Sequence, residues 1–187
     1  MTSTRLFSNL VESYAMFGRG MSFAQSPFLL LVRLYWGWQF AQTGWGKLHN
    51  LPQITQFFAS LHLPFPAFTA HFVAGVEFVG GILLVLGLLS RFTGLVLSIN
   101  MFVAYWTADH EALTSIFSNP GKFYVADPYT FLFASLVVLI FGAGLFSMDR
   151  IIASRLASWA YRPQPSKGAD AKRVPSSVTA WRPTPPR

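Results

Sequence analysis

The sequence predicts an all-α fold, a four-helix transmembrane bundle with both termini in the cytoplasm. Three observations lead there. The 187 residues are 52% apolar and only 11% charged, against roughly 25% charged in ordinary soluble domains. Four apolar runs stand out, Pro27–Gly46, Ala67–Leu89, Phe92–Thr107 and Tyr129–Phe146. The short connections between them carry their Lys and Arg asymmetrically, as bilayer-crossing chains do.

A hydrocarbon core of about 30 Å needs about 20 helical residues. The first two runs meet that length, and the third and fourth approach it with flanking residues. Arg5 and Arg19 precede the first run, Arg91 separates the second from the third, and Arg150, Arg155 and Arg162 follow the fourth. The loop after the first run has Lys47 as its one basic residue. The 108–128 loop sets Lys122 against Asp109, Glu111 and Asp127. The positive-inside rule then puts the termini and Arg91 in the cytoplasm and loops 47–66 and 108–128 outside. An even number of crossings is consistent with that.

Three regions follow. Residues 1–26 form a cytoplasmic or interfacial amphipathic segment, since Leu6, Phe7, Leu10, Val11, Tyr14 and Phe17 recur at helical spacing. Residues 27–152 form the membrane domain. Within it, Leu51–Leu61, between Pro52 and the prolines at 64 and 66, reads as a short re-entrant or interfacial helix. Residues 153–187 are a basic, Pro-rich cytoplasmic tail with little to bury, expected to be largely disordered. Residues 150–187 hold eight Lys/Arg and one acid, which accounts for the whole formal charge of +7. A basic stretch next to a crossing segment reads as a topogenic, lipid-facing element, and nucleic acid is not an expected partner. Nothing before the first run resembles a cleavable signal peptide.

An ionisable group at membrane depth costs several kcal/mol unless it is paired. At a rise of about 1.5 Å per residue, Gln39 lies about 18 Å in, Glu77 about 18 Å, Asn100 about 12 Å and Arg33 about 9 Å, all measured from the inner face. These four make a polar layer, with Arg33 and Glu77 as the compensating pair and Gln39 and Asn100 as hydrogen-bonding neighbours. Such a layer suits a quinone headgroup or a proton relay. It serves equally as helix–helix glue, which contributes about 1 kcal/mol per contact.

The chain has no cysteine, which excludes disulfides, thiolate metal sites, iron–sulfur clusters and thiol redox chemistry. His49, His62, His71 and His110 show no i, i+3 or i, i+4 pair, so no metal site is expected. Tyr35, Trp36, Trp38 and Trp45 either line a slot or face lipid. Tyr105 and Trp106 suit an outer aromatic belt, and Trp159 and Tyr161 an inner one. No nucleophile–base pair and no phosphate-binding glycine loop is present. Gly37 and Ala41, Gly75, Gly80, Gly81 and Gly87, and Gly142 and Gly144 let helix backbones approach.

Four stretches carry a family resemblance. They are Leu31-Val-Arg-Leu-Tyr-Trp-Gly-Trp-Gln-Phe continuing to Gly44-Trp-Gly-Lys-Leu, then Leu63-Pro-Phe-Pro, then Val76-Glu-Phe-Val-Gly-Gly-Ile-Leu-Leu-Val-Leu-Gly-Leu-Leu-Ser-Arg, and last Gly142-Ala-Gly-Leu-Phe-Ser-Met-Asp-Arg. In order and spacing, over residues 27–152, they resemble the DoxX family of small membrane proteins. Arg33, Lys47, Glu77, Arg91 and Asp149 occupy that family's charged motif positions. The resemblance implies a multi-pass four-helix bundle in the bacterial inner membrane. Some relatives are subunits linked to thiosulfate:quinone oxidoreduction, others membrane partners in sulfur-redox or oxidative-stress complexes. The missing cysteines set this chain apart from thiol-transferring branches.

Three functions stay open at this point. The first is a redox-associated membrane subunit, docking a quinone while a soluble or membrane partner protein supplies the cofactor, with none intrinsic to the chain. The second is a non-enzymatic scaffold or chaperone that recruits a partner through its outer loops or basic tail. The third is a small permease, for which four crossings are few unless a homo-oligomer doubles them. Membrane lipids are partners in all three.

Overall fold

The computed structural model describes residues 2–160, with the side chains of residues 2–11, Ser13, Arg19, Ser22 and Ala160 outside the described set. Every regular element among the described residues is helical. The helices are α1 (Thr2–His49), α2 (Leu51–Ser60), α3 (Pro66–Leu86), α4 (Ser90–Thr107), α5 (His110–Thr114), α6 (Pro120–Val125), α7 (Pro128–Phe141) and α8 (Met148–Ala160). One compact unit spans Met1–Ala153. The basic tail anticipated over 153–187 belongs to a second unit, from Ser154, and lies almost wholly outside the described residues.

Within the first unit α1 packs along α3, α4 along α7, α3 against α4 and α1 against α7. Glycines set how close the backbones come. A Cβ on Gly44 would lie 2.8 Å from the Phe78 Cα, and one on Gly37 would lie 2.9 Å from the Gly81 carbonyl oxygen. The α4–α7 seam is equally tight, with a Cβ on Gly94 falling 2.9 Å from the Leu139 nitrogen. A buried Ser98–Ser135 hydroxyl bond of 2.9 Å crosses it. Phe40, Leu84, Leu97, Met101 and Val138 form the core, with Phe131 and Leu132 packed against them.

Much of the remaining helix surface is large and apolar, including Leu31, Tyr35, Trp38, Phe72, Val79, Phe92, Ile99, Phe102 and Ile140. An exposed apolar area of that extent belongs in lipid or against a partner. By length and hydropathy one helix, Pro66–Leu86, is able to cross a bilayer by itself.

Three expectations about helix ends are corrected. The first apolar run was given an end at Pro27, yet α1 passes straight through that residue and on to His49. Proline removes one intrahelical donor and kinks a helix without having to end it. Of the proposed amphipathic stripe, Tyr14 and Phe17 are exposed, while the side chains of Leu6, Phe7, Leu10 and Val11 lie outside the described set. Lys47 was assigned to an outer loop and sits in the last turn of α1. The fourth run was carried to Phe146, but α7 stops at Phe141, because Gly142 (φ 77°) and Gly144 (φ 74°) take left-handed backbone that ends a helix.

Candidate functional site

Two separate polar constructions occupy this fold. The first is a clamp at the α3–α4 corner. Helix α3 ends on Gly87 in the left-handed conformation, with the Leu88 amide bonded to the Leu83 carbonyl, the usual way to stop a helix with glycine. Arg33 lies under this corner, 1% exposed. Its Nε donates to the Leu84 carbonyl at 3.0 Å and its Nη2 to Val85 at 3.2 Å. Its Nη1 donates to Ala143 and to Phe146, the latter at 3.0 Å. These oxygens lie where regular helix gives out, two at the end of α3, where Leu84 also accepts from the Gly87 amide at 3.1 Å, and two in the irregular chain between α7 and α8. A cation at the carbonyl end of α3 also meets the favourable end of the helix dipole. A Cβ on Gly87 would collide with this guanidinium.

Asp149 does the complementary job across the same corner. Its carboxylate accepts from the Leu89 amide at 2.7 Å and the Ser90 amide at 2.9 Å, the first turn of α4, where a negative group is stabilising. The Asp149 amide donates to the Gly87 carbonyl at 3.0 Å. Burial pulls the Asp149 carboxyl upward, but the hydrogen bonds from Ser90 and Leu89 and the nearby Arg33 charge outweigh it and hold the group below the usual carboxylate range. Arg91 is exposed beside Gly142.

The second construction surrounds Glu77. The side chain is buried, at 1% exposure, and its cationic partner is Lys47 rather than Arg33. The Lys47 ammonium donates to Oε1 at 2.6 Å and to Oε2 at 2.7 Å. Asn100 Nδ2 adds a bond to Oε1 at 3.2 Å. The anticipated Arg33–Glu77 pair therefore does not form. Arg33 sits at the end of α3, where it satisfies carbonyls, and Lys47, about four turns of α1 further on, reaches the middle of α3 instead. Gln39 is half-buried and makes no hydrogen bond with described residues. Thus Glu77 and Asn100 are brought together, and Arg33 and Gln39 are not part of their group.

Lys47, Glu77 and Asn100 form the floor of a cavity of about 670 Å³. Thr43 lies beside them, and the walls come from Ile54, Phe57 and Phe58 of α2, Val73 of α3, Met101 and Ala104 of α4, and Phe131 of α7. Asp109, Tyr124 and Asp127 line the other end. Helix α2 forms one wall because Pro52 starts it and because the loop beyond it turns on left-handed His62 and Phe65. That volume and lining are typical of small-molecule sites, which run about 300–1,000 Å³ and combine apolar walls with a few convergent polar groups. Burial, and then the neighbouring Asp127, push the Asp109 carboxyl upward. Lys122, the basic residue of this loop, is taken by Glu111.

The comparisons agree with the motifs this site is built from. A family model described as DoxX matches residues 28–110, a stretch that includes Arg33, Lys47, Glu77 and Asn100. Over that stretch the chain is similar to the DoxX family. It is 27% identical over 128 residues to an "Uncharacterized protein" of Haemophilus influenzae, covering 66% of this chain and 82% of that one. It is 28% identical over 123 residues to the "Putative oxidoreductase CatD" of Bacillus subtilis, covering 66% and 85%. No solved structure matches. The DoxX match and the apolar helix of spanning length both support a membrane protein.

The cavity itself was not legible in the DoxX motifs. Asp109 and Asp127 were visible only as loop charges, and the signal that marks them is the shortage of lysine in 108–128, where three acids face one base.

Proposed function

We propose that this DoxX-like protein is a multi-pass subunit of a redox complex in the bacterial inner membrane, and that the cavity above Lys47, Glu77 and Asn100 receives a quinone headgroup. In this reading α1, α3, α4 and α7 are the four crossings. Arg91 and Arg150 face the cytoplasm, and α2, α5 and α6 lie on the outer side. A separate partner protein supplies the electrons.

One observation carries the reading: a fully buried carboxylate, held by an ammonium and an amide, forms the polar floor of a chamber with aromatic and aliphatic walls, large enough for an aromatic ring. A quinone carbonyl needs a donor, and Lys47 and Asn100 both present N–H groups there. The ring needs flat apolar walls, and Phe57, Phe58 and Phe131 offer them. The name of the Bacillus relative points in the same direction.

The test is extraction of the protein purified with its native lipids. Near-stoichiometric quinone is expected in the wild type, with a clear loss in Asn100→Ala. Quinone no richer than in the surrounding lipid, and unchanged in Asn100→Ala, would end this reading.

A further inference from the structure

The charges lining the cavity do not balance. Lys47 is its one cation, and both of its short bonds go to Glu77. Asp109 and Asp127 line the same space, and no cation among the described residues pairs with either. Lys122 is engaged by Glu111 instead. With the Glu77–Lys47 pair neutral as a unit, two carboxylates, Asp109 half-buried and Asp127 exposed, remain uncompensated at one end of a partly open, aromatic-walled chamber. Tyr124, Phe57, Phe58 and Phe131 line the same space. Ring faces and carboxylates attract the same thing, a positive charge carried on an apolar body. The Asp109 carboxyl is raised first by burial and then by the neighbouring Asp127, and such a charge would relieve the second of these.

The geometry points to a binding site for lipophilic organic cations, such as quaternary ammonium or phosphonium compounds, with the charge between Asp109 and Asp127 and the apolar groups against the α2, α4 and α7 walls. A small anion meets two carboxylates on the way in and a lysine already occupied on the floor, so the same cavity rejects anions. This inference stands on the cavity's charge and walls and does not depend on a quinone being bound.

The experiment compares two probes of the same shape and opposite charge. The full-length protein, reconstituted in vesicles of zwitterionic phosphatidylcholine, is titrated with tetraphenylphosphonium and with tetraphenylborate. Saturable binding of the phosphonium, at least about tenfold tighter than any binding of the borate, is expected. Equal affinity for the two, or no saturable phosphonium binding, overturns the inference on the wild-type protein alone. In Asp109→Asn/Asp127→Asn the preference should collapse. A folded double variant that keeps the full preference also overturns it. Quinone content, measured in parallel, reports on the earlier reading separately: protein that binds the cation and carries no quinone loses that reading and keeps this one.

Discussion

Removing the Lys47 ammonium should be among the most damaging single changes available in this protein. Glu77 is 1% exposed, and two of its three hydrogen bonds, at 2.6 and 2.7 Å, come from that one group. Lys47→Met keeps the length and apolar stem of the side chain but leaves a buried carboxylate with only the 3.2 Å Asn100 bond. Deleting one partner of a buried pair costs about 3–5 kcal/mol, a large part of the roughly 5–15 kcal/mol of a typical domain. Replacing both partners by neutral groups of similar shape costs far less, because no charge is stranded. Lys47→Met/Glu77→Gln should therefore recover most of the loss, with a coupling of about 2 kcal/mol or more between the sites. Unfolding of purified protein in mixed micelles, followed by tryptophan fluorescence, measures Lys47→Met, Glu77→Gln and the double variant. The reasoning fails if Lys47→Met alone loses under about 1 kcal/mol, or if the double variant equals the sum of the singles within about 0.5 kcal/mol.

Four further outcomes are expected. Arg33→Lys should not rescue Arg33→Ala, since a single ammonium lacks the fork that reaches carbonyls of two segments; yield of monodisperse protein in size exclusion distinguishes them. Gly44→Val should open the α1–α3 seam at a cost of about 1–3 kcal/mol or more, read in the same micelle assay. Asp149 contributes stability above its ordinary value of 3.8, lost as pH falls through its lowered folded value, so the acid limb of a melting-temperature profile should flatten in Asp149→Asn. Asp109 has the opposite sign. Its raised folded value means stability drains away as pH climbs from 3.8 through that value, so Asp109→Asn should melt higher than wild type at neutral pH and alike well below 3.8.

Apolar length made α3 and α4 legible in the sequence to within three residues, since their ends coincide with Pro66, Gly87 and the Leu89–Ser90 corner. The same criterion misjudged α1 and α7. At Pro27 it read a weak break as a boundary, and after Phe141 it followed hydrophobic composition through two glycines whose backbone had already left the helix. Counting rise per residue put Glu77 and Asn100 at neighbouring depths, and they do touch. It said nothing of azimuth or helix register, which is why Arg33 was matched to Glu77. The register was present in Gly37, Ala41 and Gly44, which face Gly81, Val85, Phe78 and Ala74. Once those contacts are fixed, Lys47 falls near Glu77 and Arg33 near the end of α3. The cavity was invisible because its walls come from five helices distant in sequence, and no periodicity encodes that meeting.

The Arg33 clamp carries an implication for how the chain is made. A residue of the first helix seals peptide oxygens in the segment that follows α7, more than a hundred positions later. During synthesis that guanidinium emerges early and must wait, hydrated or provisionally satisfied, until the segment after α7 arrives. Assembly is thus locked by a residue of the first helix closing on a late connection, and a ribosome product cut short at Phe141 would leave that guanidinium only its two carbonyls at the end of α3.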